Sequence, residues 1–201
     1  MGLWNAVRRT YRRLARRRED AHVREAATVL GKTPVFQGVP SRALRALAEG
    51  VHARTFHRDE FLYYEDDPGL GLYVVQQGRV ALTVEDEHGE PCDLRQAGPG
   101  EVFGELSLVG DFPRMETARA AVETHVLGFF RPDLKTTRRR RPQAAAAIVE
   151  ALAEHLAHRQ VDVARRLAED GGRVRARRII DGAARQQQSG ALPAGALADE
   201  R

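Results

Sequence analysis

The sequence predicts a mainly β protein of the α+β class: an antiparallel sandwich or barrel preceded and followed by helices. Between Val51 and Phe130 apolar residues recur with a period near two, the mark of half-buried strands. Turn signals cut that stretch into short runs: Asp67-Pro68-Gly69, Gln77-Gly78, His88-Gly89 and Gly98-Pro99-Gly100. On both sides of it the apolar spacing changes to that of helices. Many short strands at this spacing close most readily as a sandwich or barrel.

In chain order, residues 1–18 predict a basic amphipathic helix. Leu3, Trp4, Val7, Tyr11 and Leu14 share one face, and arginines take most of the rest. Val23, Ala27 and Leu30 lie on a different face, so a break is expected near Asp20, with Gly31 ending a second helix. Residues 34–50, PVFQGVPSRALRALAEG, predict an apolar turn and one small helix with Leu44 and Leu47 inward, Pro40 at its start and Gly50 at its stop. In the β region, Phe61 and Tyr63 alternate with their neighbours, as do Leu72 and Val74. Val80, Leu82 and Val84 form the cleanest alternating set. One apolar helical turn, Glu105 to Val109, interrupts the pattern. After Pro132 the helical period returns. Ile148, Leu152, Leu156, Val163 and Leu167 mark a helix of about seven turns that stops at Gly171-Gly172. A further helix can begin the last 30 residues before they decay into a disordered polar tail.

The chain has 201 residues, 42% hydrophobic and 30% charged, enough for one ordinary core plus helical attachments. No apolar run reaches the 18 residues of a membrane span, and no secretory h-region follows the basic start. A lone Cys92 excludes an internal disulfide and suits a reducing cytoplasm. The net charge of +4 comes almost wholly from arginine, since Lys32 and Lys135 are the only lysines. The excess sits in residues 8–18 and in the Arg138–Arg141 run, which reads as a solvated loop before Pro142.

Residues 98–117 carry the chemistry. Gly104 lets a ligand approach bare backbone, and a helix starting there would present N–H groups to an anion. Arg114 supplies a guanidinium fork suited to a phosphate, and the ionised Glu105, an acceptor only, suits a sugar hydroxyl. The expected ligand is therefore a small anion bearing a hydroxylated sugar.

These segments resemble the cyclic nucleotide-binding domain family. The resemblance covers roughly residues 33–168, through VFQGVPSRALRALAE, YYEDDPGLGLYVVQQGRVALTV, AGPGEVFGELSLVGDFPR and the proline-led helix from Pro142. It implies an antiparallel double-stranded β-helix (a β-roll or jelly roll) flanked by N-terminal helices and a long C-terminal helix. The implied organisation is a basic helical segment at 1–32, the β-roll at 33–141, a C-helix at 142–170 and a basic, then disordered, tail at 171–201. The implied ligand is cAMP or cGMP, held by Phe103, Gly104, Glu105, Leu106, Ser107, Arg114, Met115 and Thr117. Within that set Glu105 would take the ribose hydroxyl and Arg114 the cyclic phosphate, and the C-helix would lid the base. No metal is expected.

Family members usually carry small residues directly after the arginine, where this chain has Met115 and Glu116. Along a strand these point to opposite faces, so at most one of them can face the phosphate. Glu116 there would repel a phosphate or neutralise Arg114, whereas Met115 would take space. Two glycines frequent in the family's turns appear as Asp59 and Asp66, and aspartate tolerates the left-handed backbone.

The function expected is a cytoplasmic sensing and regulatory module, dimeric through 142–168, that signals through its flanking helices. A nucleotide-free module, docking a partner protein or an anionic membrane surface through residues 1–18, is the alternative. Ala6 stands at the Ser/Thr position of a myristoylation signal, so lipidation has no support. A transcription regulator is disfavoured, because a 30-residue tail is too short for a winged-helix reader, and no sequence-specific DNA is expected. His155 and His158 lack a third convergent ligand and read as a surface pair. His52 and His57, an odd number apart, face opposite sides of a strand. No nucleophile–base set argues for an enzyme.

Overall fold

The computed structural model describes residues 19–188, so the helix expected at 1–18 and the tail from 189 onward lie outside the described residues. Helix α1 (described over 19–32) leads through a 3-10 turn at Pro34–Phe36 to α2 (Ser41–Ala48). The strands follow: β1 (His52–Phe56), β2 (Phe61–Tyr63), β3 (Gly71–Gln77), β4 (Val80–Glu85), β5 (Pro91–Ala97) and β6 (Val102–Phe103). A single turn, α3 (Leu106–Val109), precedes β7 (Thr117–Ala120) and β8 (Thr124–Phe130). Helices α4 (Arg131–Arg140), α5 (Pro142–Gly171) and α6 (Arg173–Gln188) complete the described chain.

The strands form two four-stranded sheets, ordered β1-β8-β3-β6 and β2-β7-β4-β5, with every pair antiparallel. Strand β3 explains the layering. Its Tyr73 and Val75 join Phe103, Val80, Leu82 and Val126 between the sheets, while Leu72 and Val74 join Leu127, Phe129, Leu30, Leu47, Ile148 and Leu152 on the helical side. A strand buried on both faces needs an unbroken apolar run, and LYVV supplies it. Every residue of β5 except Ala97 is exposed.

The chain divides into two compact units between Leu152 and Ala153. The first holds the sheets, the N-terminal helices, α4 and the start of α5, where Ala144, Ala145, Ile148 and Leu152 are buried. The second holds the rest of α5 and α6, joined at Gly172 with φ +83°. In it Val161, Val163, Val174 and Ile179 are exposed. Among the described residues no helix is long and apolar enough to cross a membrane.

Four local expectations change. Helix α1 continues through Gly31 to residue 32 rather than stopping at Gly31. Phe61 faces outward, because a bulge between Phe61 and Tyr63 breaks the alternation: Phe61 pairs with Arg119, and Tyr63 with the buried Ala118. Arg138, Arg139 and Arg140 form the last turn of α4 rather than a loop, and only Arg141 leaves the helix, with φ −143° and ψ 69°. A residue before proline is pushed out of the helical region, and a cationic last turn suits the negative end of the helix dipole. Helix α6 continues through Gln188, so the whole glutamine run lies inside it.

Candidate functional site

After β6 pairs with β3 through Phe103 and Tyr73, Gly104 turns the chain with φ +67°. A side chain there would strain the backbone and collide with Arg114 Nη1, with the Tyr63 hydroxyl oxygen 3.2 Å away. Glu105, in helical backbone and buried, leads into α3, which is one turn long and starts at Leu106, one residue after the Glu105 to Val109 turn expected from sequence and two after Gly104. Buried Ser107 donates its hydroxyl to the Phe112 carbonyl at 3.2 Å.

Arg114 is fixed at both backbone and side chain. Its N–H donates to the Asp67 carbonyl (2.9 Å), and its own carbonyl accepts the Asp66 N–H (2.9 Å). Asp66 holds φ +63° there, as Asp59 holds φ +66° at the preceding turn. Arg114 is 4% exposed. Nη1 donates to the carbonyls of Gly71 (2.7 Å) and Gly104 (3.0 Å). The group lies 4.1 Å from the Tyr63 ring centroid and 5.6 Å from that of Tyr73, a partly desolvated cation–π arrangement. Nη1 alone makes both carbonyl bonds, while a guanidinium carries five N–H donors and can serve an anion as well.

The two residues after Arg114 occupy a bend ahead of β7. Met115 points to solvent, 59% exposed. Glu116 turns inward, and its Oε1 accepts the Tyr63 hydroxyl proton at 2.8 Å. Burial, foremost, and then the charge and hydrogen bond of Glu116 push the Tyr63 hydroxyl well above its usual pKa. Arg114 opposes the shift and Glu105 adds to it. Tyr63 is therefore a neutral donor at every physiological pH.

Of the residues expected from sequence, Gly104 and Arg114 touch, and Glu105 and Ser107 are buried beside them in the chain. Phe103 is a core ring, 5.5 Å from Tyr73 and 6.2 Å from Tyr63. Leu106 is partly exposed, and the Thr117 hydroxyl accepts the Glu65 N–H at 2.9 Å. Met115 does not join the cluster. Two participants were not expected: Tyr63, which supplies ring and hydroxyl, and Gly71, which supplies a carbonyl. Tyr63 had a signal in its inward alternation on β2, but nothing local tied it to residues 104–116.

Arg131 ties the surrounding loops together. Nη2 donates to the Gly69 carbonyl (2.7 Å), and Nη1 reaches Asp111 Oδ1 (2.9 Å) and the Gly110 carbonyl (3.4 Å). Elsewhere, a cavity of about 400 Å³ is lined by Asp20, Arg45, Glu49, Asp133, Arg140 and Arg141. Within it Arg45 pairs with Asp20 at 3.8 Å and with Glu49 at 3.4 Å, and Arg141 pairs with Glu49 at 2.7 Å. No group of three or more His, Cys, Asp or Glu that could hold a metal ion occurs among the described residues.

Comparison with known proteins points the same way as the fold. A sequence model of the cyclic nucleotide-binding domain matches residues 53–141. The cyclic AMP receptor protein of Thermus thermophilus is 32% identical over 62% of this chain and 57% of its own length. The chain thus spans little more than half of that curated relative. The crystal structure of the N-terminal domain of a transcriptional regulator from Streptomyces coelicolor is 33% identical. It has a TM-score of 0.60 and covers 67% of this chain and 94% of that one. A cyclic nucleotide-binding domain from Methylobacillus flagellatus superposes with a TM-score of 0.64 over 75% of this chain and 85% of that one. At 21% identity it shows the fold alone.

Proposed function

The chain belongs to the cyclic nucleotide-binding domain family, and on that premise we propose that it is a regulatory module that senses cAMP or cGMP. The observation that carries this is the buried Arg114 guanidinium, held against Gly104 by backbone carbonyls and an aromatic face. A fixed guanidinium beside a glycine that exposes its backbone suits the ring phosphate of a cyclic nucleotide. Glu105, one residue on, suits the ribose hydroxyls, and Ser107 and the backbone of Leu106 would complete the cassette. The Thermus relative is named a cyclic AMP receptor protein, which favours cAMP as the ligand.

The module regulates rather than catalyses. Occupancy passes to the flanking helices through Arg131, which joins the loops beside Arg114 to the first residue of α4. Exposed Val149, Val161 and Val163 on α5 support pairing of two copies through residues 142–168. A nucleotide-free interaction module is the second reading, and it is favoured by the Glu116 carboxylate turned into the cluster.

Calorimetric titration of the full chain with cAMP and cGMP tests the proposal, with Arg114→Ala and Arg114→Lys run beside it and thermal melts confirming that each variant folds. Saturable heat from the wild type, lost in Arg114→Ala and weakened in Arg114→Lys, is the expected result. Equal heats from wild type and a folded Arg114→Ala would remove the phosphate assignment.

A further inference from the structure

Neither Tyr63 nor Glu116 is among the ligand contacts the resemblance implies, yet Glu116 accepts the hydroxyl of Tyr63, and Tyr63 in turn lies against Arg114 and beside Gly104. We propose that Tyr63 is a phosphate-binding residue of this site and that Glu116 is the internal acceptor a ring phosphate must displace. This rests on the sensing role proposed above and adds to it the group that sets affinity.

A tyrosine hydroxyl has one proton to donate, and here it goes to Glu116 Oε1 at 2.8 Å. Its oxygen stands beside Gly104, and its ring underlies the Arg114 guanidinium at 4.1 Å. A phosphate that reaches Arg114 and the Gly104 backbone therefore arrives within range of the same hydroxyl. Both anions cannot take that proton together, and a carboxylate and a phosphate a few ångströms apart repel strongly away from bulk water. The charged groups that act on the Tyr63 hydroxyl are Glu116, Arg114 and Glu105, the last from the link between β6 and α3. Glu105 adds negative charge to the cluster, so the carboxylate of Glu116 has reason to leave when a second anion enters.

The chain also allows that exit. Met115 and Glu116 form a bend, and β7 starts only at Thr117. Glu116 can swing outward without breaking a ladder hydrogen bond. The released hydroxyl then donates to a phosphate oxygen, so the Glu116 acceptor is replaced by a ligand acceptor and Tyr63 stays satisfied in both states.

The test is a nucleotide titration of the full chain and of Glu116→Gln, Glu116→Ala, Tyr63→Phe and the Tyr63→Phe/Glu116→Ala double variant, with a thermal melt for each. Glu116→Ala is expected to tighten cAMP or cGMP binding at least tenfold, by removing both the competing acceptor and the like charge. Adding Tyr63→Phe to Glu116→Ala is expected to weaken binding about tenfold, the loss typical of a hydrogen bond to a charged partner. If the wild type binds and Glu116→Ala binds no more tightly, displacement is wrong while the sensing role stands. A double variant that binds as tightly as Glu116→Ala removes Tyr63 from the phosphate contacts. Silence from every folded variant with both nucleotides overturns the sensing role and this inference together.

Discussion

Asp59 and Asp66, on one side, and Met115-Glu116, on the other, both depart from the small residues the family usually carries, and the fold absorbs them in different ways. At the turns the aspartates take left-handed φ values of 66° and 63°, the conformation a glycine would have had. Asp66 still bonds back to Arg114 through its backbone, and Asp59 gains an ion pair with Arg119. In the cassette the backbone also survives, but Glu116 brings a carboxylate into the space around Arg114. A turn residue is judged by the φ it can reach, at a cost of about 1–2 kcal/mol for left-handed backbone. A residue inside a buried polar cluster is judged by charge and hydrogen bonds, which decide what else can enter.

The largest effect expected along this divide is from Gly104→Ala. The new Cβ meets the Arg114 guanidinium at φ +67°, so folding stability measured by urea denaturation should fall by about 3 kcal/mol. A loss below about 1 kcal/mol would mean that the guanidinium moves aside freely and the cluster is not rigid. Next in size is an alkaline effect carried by Tyr63. Its hydroxyl is held above the ordinary tyrosine value of 10.0 in the folded chain, so its contribution is present below pH 10 and is lost as pH rises further. Stability should drop by about 1.4 kcal/mol per pH unit above that point, and a Tyr63→Phe chain should lack this increment. The smallest effect belongs to the turns. Asp66→Gly should change stability by less than about 1 kcal/mol, because glycine relieves strain in the folded chain while loosening the unfolded one. A large loss would show that the aspartate side chain does more than tolerate its φ.

The β character of 51–130, the stretches of β2, β3 and β4, the long helix and the short helix near 41–48 could be read from the sequence, whereas β1 and β5, exposed along almost their whole length, carry no such period. Strand β3 was read from Leu72 and Val74 as an alternating strand, whereas Leu72 to Val75 are all buried because the sheet is covered on both faces. Arg138–Arg140 was misread because α4 carries a single leucine, Leu134, and so has no apolar stripe to betray it. At the site, Gly104 and Arg114 were legible from chemistry at close spacing. The direction of Glu116 was not, since alternation allows either face and the bend before β7 sets the choice. Tyr63 lies 53 residues from Glu116 and meets it only because β2 pairs with β7. Local sequence holds no trace of that pairing.

The near absence of lysine gives α4 an unplanned property. Lys135 stands exposed on the helix that Arg131 fastens to the loops beside Arg114, and the other lysine, Lys32, ends α1. Amine-directed labels will therefore mark just two lysine side chains in this chain. One of them rides on the helix that Arg131 fastens to the cassette loops, so once the likewise exposed Lys32 is replaced by arginine, a dye at Lys135 marks the one remaining lysine.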